Sequence, residues 1–360
     1  MRDDPRVIVN RWTPSADGAF ERARVLAAGV HPEGLDAVRV RFSRAATAPF
    51  EGAAHLVSLM RGAARMRGCG LDPSTHASVV GDVELEAEAG TELIVVTGRA
   101  PEGRAALVVR QERFLAAALD AEGPLRWILT PQYLSRRIFL HHDAALLSQS
   151  GAPVSWFRTT MFDTTGLPPN DDGESVFRMS YNHRTEPNFC YDVQGHARVR
   201  FAEHPYDDAA QRFGPWHDLD GETTYHLNEA RGGAEEEHRD GHPLRNRHEV
   251  ANAGGHTTLF CLFDPAPTGV EEHHPGTYSE YGALDDVLGS ERYTKKLARL
   301  REVDAHIDTL SLAAARGEPL EGTAAWAWYE EASEQARNNR AALLARLDEG
   351  RRKIVAPWAE

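Results

Sequence analysis

The sequence predicts a mainly β fold, a sandwich or barrel, with a helical hairpin at its C-terminal end. Three observations carry this. The runs "SVFRMSY", "NFCYDV", "ARVRFA", "ETTYHLN" and "HTTLFCLFD" are short and β-prone, and Gly, Pro, Asn and Asp separate them. "DAVRVRFS" (36–43) alternates apolar and charged residues as a half-buried strand does. From about residue 285 the apolar residues recur at helical spacing instead. A chain of 360 residues suggests two units at about 150 residues each. The expected division is a mixed β/α domain over 1–130, a β barrel over 131–284 with a charged insertion at 229–243, and a helical hairpin over 285–360.

The elements follow in order. "APFEGAAHLVSLMRGAARMRG" (48–68) places Phe50, Leu56, Leu59, Met60 and Met66 at roughly helical spacing, which predicts a helix. "VELEAEAGTELIVVTGRA" (83–100) reads as two strands joined by a turn at Gly90. "AALVVRQERFLAAALDAEG" (105–123) begins as a strand and ends as a helix. "SWFRTTMFDTTGLPPNDDG" (155–173) is either a lid over the barrel mouth or a strand and loop closing the sheet edge. The polar stretch 229–243 reads as an exposed insertion. Leu288, Tyr293, Leu297, Leu300, Val303, Ile307 and Leu310 form one helical stripe, and "ARGEPLEG" breaks it. A second helix carries Trp326, Trp328, Tyr329, Ala332, Ala336, Leu343, Leu344 and Leu347. The hairpin is expected to pack on the barrel or on another subunit.

Composition narrows the function. The net charge of −14 argues against non-specific binding to nucleic acid or anionic membrane, both of which need basic patches. No stretch approaches the roughly 20 apolar residues of a membrane helix. Three widely spaced cysteines, Cys69, Cys190 and Cys261, make neither a disulfide framework nor a zinc-finger pattern, and they fit a reducing cytoplasm. Nucleotide-binding glycine loops, a G-x-S-x-G elbow and an H-E-x-x-H pair are all missing from the chain.

Histidine is concentrated. Eleven of the 17 fall between His183 and His274, and imidazole is the commonest metal ligand near neutral pH. His238, His242, His273 and His274 belong to loops. His183 and His248 stand in a pattern. "SYNHRTEPNFCYDVQGHARVRF" (180–201) resembles the first motif of the cupin superfamily, a pair of histidines one residue apart, then a glutamate, then a glycine seven residues later. Counting back from Gly195 puts Asn188 at the glutamate position, His183 at the second histidine position and Tyr181 at the first. "RNRHEVANAGGHTTLFCLFDP" (245–265) resembles the second motif through His248, Asn252 and Gly254 or Gly255.

That resemblance implies a jelly-roll barrel in which the two motifs lie side by side. The first 130 residues would be a degenerate second copy in a bicupin, or a different domain beside a single cupin. Gly195 would make a tight hairpin between successive strands. The resemblance also implies a divalent metal, with Fe(II) the leading expectation. His183 and His248 are the expected ligands. The third is Glu186, His226 or the group His141, His142 and Asp143. Glu186 would complete a two-histidine, one-carboxylate face. Tyr181 and Tyr191 are candidate catalytic groups, and Asn188 and Arg198 candidate substrate contacts. An inward arginine would hold a carboxylate, whereas an outward one would be a solvated charge. Asn252 would orient a ligand. The implied function is a metal-dependent oxygenase acting on a small polar or aromatic metabolite, in the cytoplasm and as a homodimer. The alternatives are a cupin isomerase, epimerase or lyase, and a metal-free binding cupin.

Overall fold

The computed structural model describes residues 7–26, 36–100, most of 102–117, 136–147, 153–161, 179–181, 188–201, 214–219, 223–228, 248–264 and 291–335, with 337, 338 and 341. From 136 to 264 the description is of backbone pairing, with side chains only at 198–200 and 214–218. In chain order the first strands are β1 (Val7–Val9), β2 (Trp12–Pro14), β3 (Phe20–Leu26), β4 (Asp36–Phe42), β5 (Ala46–Phe50) and β6 (Ala54–Arg61). Next come β7 (Ala64–Met66), β8 (Cys69–Leu71), β9 (Thr75–Val80), β10 (Val83–Ala87), β11 (Glu92–Gly98) and β12 (Leu107–Gln111). A second series holds β13 (Arg136–Leu147), β14 (Pro153–Met161), β15 (Met179–Tyr181), β16 (Asn188–Phe201), β17 (His217–Leu219), β18 (Thr223–Asn228) and β19 (His248–Asp264). Helix α1 (Glu291–Arg316) and helix α2 (324–335) follow.

Two antiparallel sheets build the first half. One runs β12-β9-β6-β11-β4-β3-β2 and the other β5-β10-β7-β8. Between them lies one apolar cluster that includes Val40, Phe42, Phe50, Val57, Leu59, Met66, Leu85, Leu93 and Val95. Alternation explains most of it. In β10 the pattern Val-Glu-Leu-Glu-Ala buries every second residue, so one face meets the core and the other meets water. The expected turn at Gly90 joins β10 to β11, and Gly90 has a φ of +80°.

The helix expected over 48–68 is absent, and β5, β6 and β7 stand in its place. The physical reason is burial on both faces. β6 runs between β9 and β11, and Ala54 to Met60 are all buried. A strand covered on both sides loses its polar alternation, and an apolar run then imitates helical spacing. The glycines settle the matter. Gly62 turns the chain at φ +83°, where a Cβ would meet Thr91 Oγ1 at 2.5 Å.

The outer face of the larger sheet carries buried charge. Arg39 is 1% exposed and pairs with the Glu92 carboxylate, which also meets Arg61 at 3.2 Å. The described part of the helical hairpin docks on this half. Arg110 Nε of β12 lies 2.7 Å from Asp308 Oδ1 of α1, and Ser311 Oγ accepts the Gln111 N–H at 2.9 Å. Phe114 meets Tyr329 of α2 edge-on at 5.0 Å between ring centroids. The expected break falls where expected, at Gly317 with φ +72°.

The second half is one larger antiparallel sheet, ordered β1-β18-β16-β19-β14-β13, with β15 on β19 and β17 on β16. The chain is mainly β with a helical C-terminal part, as the sequence predicts. The division at residue 130 is not the division of the sheets, because Val7–Val9 pairs with Thr223–Tyr225. Among the described residues the path ends at β1 and β13, and no strand pair joins the ends into a closed barrel. Residues 155–161 belong to β14, paired to β13 on one side and β19 on the other, so they are sheet interior and not a lid. Residues 162–173 and the insertion at 229–243 lie outside the described residues.

Candidate functional site

The centre of the second sheet is a long two-stranded ribbon of β16 and β19. Residues 188–201 of the first motif segment and 248–264 of the second lie in it. The expectation that they are neighbours therefore holds at the level of backbone pairing, from Asn188 opposite Asp264 to Phe201 opposite His248. The hairpin expected at Gly195 does not form. Gly195 sits inside continuous β16, where the register slips between Gln194 and Ala197, and His196 faces Gly254. The extra residues lie on β19, which runs six positions (258 to 252) against three on β16 (194 to 197), and glycine beside such a bulge tolerates the bent backbone as readily as it supplies a turn.

Parity sorts the candidates at the lower end of the ribbon. Residues directly opposite in an antiparallel ladder share a face, and so do residues two apart along one strand. Val199 is fully buried, at 0% exposure. It pairs with Val250, which pairs with Met179. His248 pairs with both Tyr181 and Phe201, and Asn252 pairs with Ala197. Tyr181, His248 and Asn252 therefore share the ladder face of the buried Val199.

Arg198 belongs to the opposite face. Its side chain is 32% exposed, and its Nε lies 3.5 Å from Asp218 Oδ1, a carboxylate 57% exposed. Arg200, on the same face, places its guanidinium 4.5 Å from the centre of the Trp216 ring. The outward reading of Arg198 is thus the one the geometry supports, a solvated ion pair and not an inward grip on a substrate carboxylate.

At the upper end of the ribbon Asn188 pairs with Asn228, and Cys190 pairs with His226. Asn188 and His226 share one face there. Tyr191, opposite Tyr225, lies on the other. Eleven positions separate Cys190 from Phe201 in β16, which is about 36 Å of strand path at about 3.3 Å per residue. The register consequently places His226 and His248 at opposite ends of the ribbon. His141 pairs with Trp156, and His142 and Asp143 fall where the β13–β14 register shifts. His183 and Glu186 lie outside the described residues.

Among the described residues no group of three or more His, Cys, Asp or Glu is arranged to hold a metal. No described helix is long and apolar enough to cross a membrane. Two buried imidazoles among the described residues escaped the sequence reading, His55 of β6 and His76 of β9. His55 is fully buried, and its Nδ1 lies 2.9 Å from Thr97 Oγ1. Its apolar surroundings, "AAHLVSLM", gave it the look of a core residue on a helix.

No family model matches the chain, and no curated protein matches it. Solved structures do. GK1651 from Geobacillus kaustophilus is 10% identical, with a TM-score of 0.44, over 74% of this chain and 97% of its own. A deletion mutant of oxalate decarboxylase OxdC from Bacillus subtilis is 9% identical, with a TM-score of 0.41, over 74% of this chain and 78% of its own.

Proposed function

We propose that the second sheet carries the active site of a metal-dependent cupin enzyme acting on a small polar or aromatic metabolite. One observation supports this reading above the others. The ladder sets Tyr181 directly across from His248, with Asn252 on the same face, and that face is the one on which Val199 is buried. An imidazole and a phenol at paired positions on adjacent strands suit a divalent cation of borderline softness. His183 and Glu186, two and five positions beyond Tyr181 in sequence, are the residues that would complete the set. Together they would make a two-histidine, one-carboxylate face, which is the donor set of Fe(II) oxygenases. The bound ion would supply Lewis-acid or oxygen-activating chemistry.

The chain's own residues do the rest. Asn252, four positions after His248, orients the ligand side of the ladder. Tyr181 donates or accepts a proton at its phenolic oxygen. Arg198 takes no part. The test is anaerobic titration of metal-stripped protein with Fe(II), Mn(II) and Zn(II), then oxygen consumption against a panel of small carboxylates and phenols. Saturable one-to-one binding with oxygen uptake supports the reading. Binding of none of the three metals overturns it.

The Tyr181–His248 pairing also favours a second reading, an isomerase or lyase in which that pair exchanges protons. Turnover without oxygen uptake, lost in Tyr181→Phe, would decide for it. The proposal extends to assembly as a homodimer in the cytoplasm, and the mass in solution by light scattering tests the dimer.

A further inference from the structure

His55 does not belong to that site. It lies at one end of the first sandwich, on the same face of β6 as the core residues Val57 and Leu59. None of its surface is exposed. The register sets Thr97 of β11 directly across from it, and Nδ1 shares a hydrogen bond with Thr97 Oγ1 at 2.9 Å. Phe50 meets the ring edge-on, at 6.4 Å between centroids. Gly52 packs so closely that a Cβ there would lie 3.0 Å from Cε1 and 3.5 Å from Nε2. Nε2 is buried and has no hydrogen-bond partner among the described residues.

This geometry suits a neutral ring and not a charged one. Neutral imidazole has one N–H, which Nδ1 can give to Thr97, leaving only a lone pair unmatched at Nε2. Imidazolium has two N–H donors, and the second would face Gly52 with no acceptor. We propose that His55 is a seal that holds only while neutral, and that acid loosens the first sandwich through it.

Among the described residues the charges around His55 are few. Asp82 favours a charged ring, but its Oδ1 already accepts the Gly52 N–H at 2.8 Å. Arg67 opposes a charged ring. Asp36 of β4 stands one strand further along the same row, opposite Thr97. β5 and β9 bring Phe50 and Val79, which do not titrate. Burial is the leading influence and holds the ring's pKa below its ordinary 6.5. The folded value lies below the unfolded one. The contribution to stability is therefore complete above about pH 6.5 and is lost as pH falls toward the folded value. In that window the unfolded chain takes up a proton that the folded one refuses, and the unfolding equilibrium grows by up to about tenfold per pH unit.

The test uses the full chain. Urea unfolding at pH 7.5 and 5.5 is followed by amide exchange in peptides covering 54–61 and 92–98. Between these pH values the unfolding constant of the wild type should rise more than that of His55→Gln, by up to about tenfold more. An equal rise in both overturns the proposal. Should the variant not fold, the ring nitrogen shifts of the wild type decide alone. A folded-state His55 ring that titrates below its ordinary 6.5 is the expected result, and one that titrates at or above 6.5 contradicts it.

Discussion

The two halves of the molecule use the same antiparallel ladder for different ends. In the first half the space between the sheets is filled by Val40, Phe42, Leu59, Leu85, Leu93 and their neighbours, with His55 and Thr97 at one rim. In the second half one ladder face of the β16–β19 ribbon, the face of Val199, brings the positions of Tyr181, His248 and Asn252 together. Three polar residues gathered on one face of a central ladder are the arrangement proposed above to bind. The difference teaches where single substitutions should hurt folding and where they should hurt function.

The largest effect on folding is expected at the buried ion pair. Glu92→Ala leaves Arg39 charged and without its carboxylate in a site 1% exposed, and should cost about 3–5 kcal/mol. Denaturant unfolding measures it. A loss under about 1 kcal/mol would mean that Arg39 is not desolvated. Next is Leu59→Ala, which opens a cavity in the apolar cluster and should cost about 2–5 kcal/mol. Activity per folded molecule should stay unchanged in both variants, and a selective loss would move the active site into the first half.

Asp308→Ala comes third. It removes the carboxylate beside Arg110, whose side chain is 4% exposed, and should cost about 1–3 kcal/mol. Limited proteolysis should then cut first within α1, and an unchanged digestion pattern would show that the helix docks by its apolar stripe alone. The smallest effect belongs to Asp36→Asn. Burial pushes the Asp36 carboxyl above its ordinary 3.8, against the pull of Arg24. A raised folded value means that stability is fully present below about pH 3.8 and is lost as pH rises through the folded value. The asparagine variant should therefore lack that loss and be slightly the more stable at pH 7 by thermal melting. A less stable variant would show that the Arg24 pair outweighs burial.

The parts legible in the sequence are those where polar and apolar residues alternate. In Val83–Ala87 one side packs on the core and the other meets water, and in Asp36–Phe42 the charged side is recognisable although Arg39 is buried. The helical stripe of α1 was legible because Val303, Ile307 and Leu310 are buried while the residues between them are more exposed. β6 was not legible, since a central strand covered on both sides has no polar face to reveal its period. Gly195 and Gly254 were visible as backbone signals, but glycine does not say whether the chain turns back or merely bulges. Of the candidate site, motif spacing placed His248 beside the first motif, and the register pairs it with Tyr181. His183 and Glu186 lie outside the described residues. The face of Arg198 depends on a register that only the pairing of β16 with β17 and β19 reveals.

The most direct test of a metal-bearing second half is elemental analysis of the full chain purified without chelator, beside His248→Ala. About one divalent metal per chain in the wild type, absent from a variant with an unchanged circular dichroism spectrum, is the predicted result. A wild type without metal, or a variant that keeps it, would contradict the assignment.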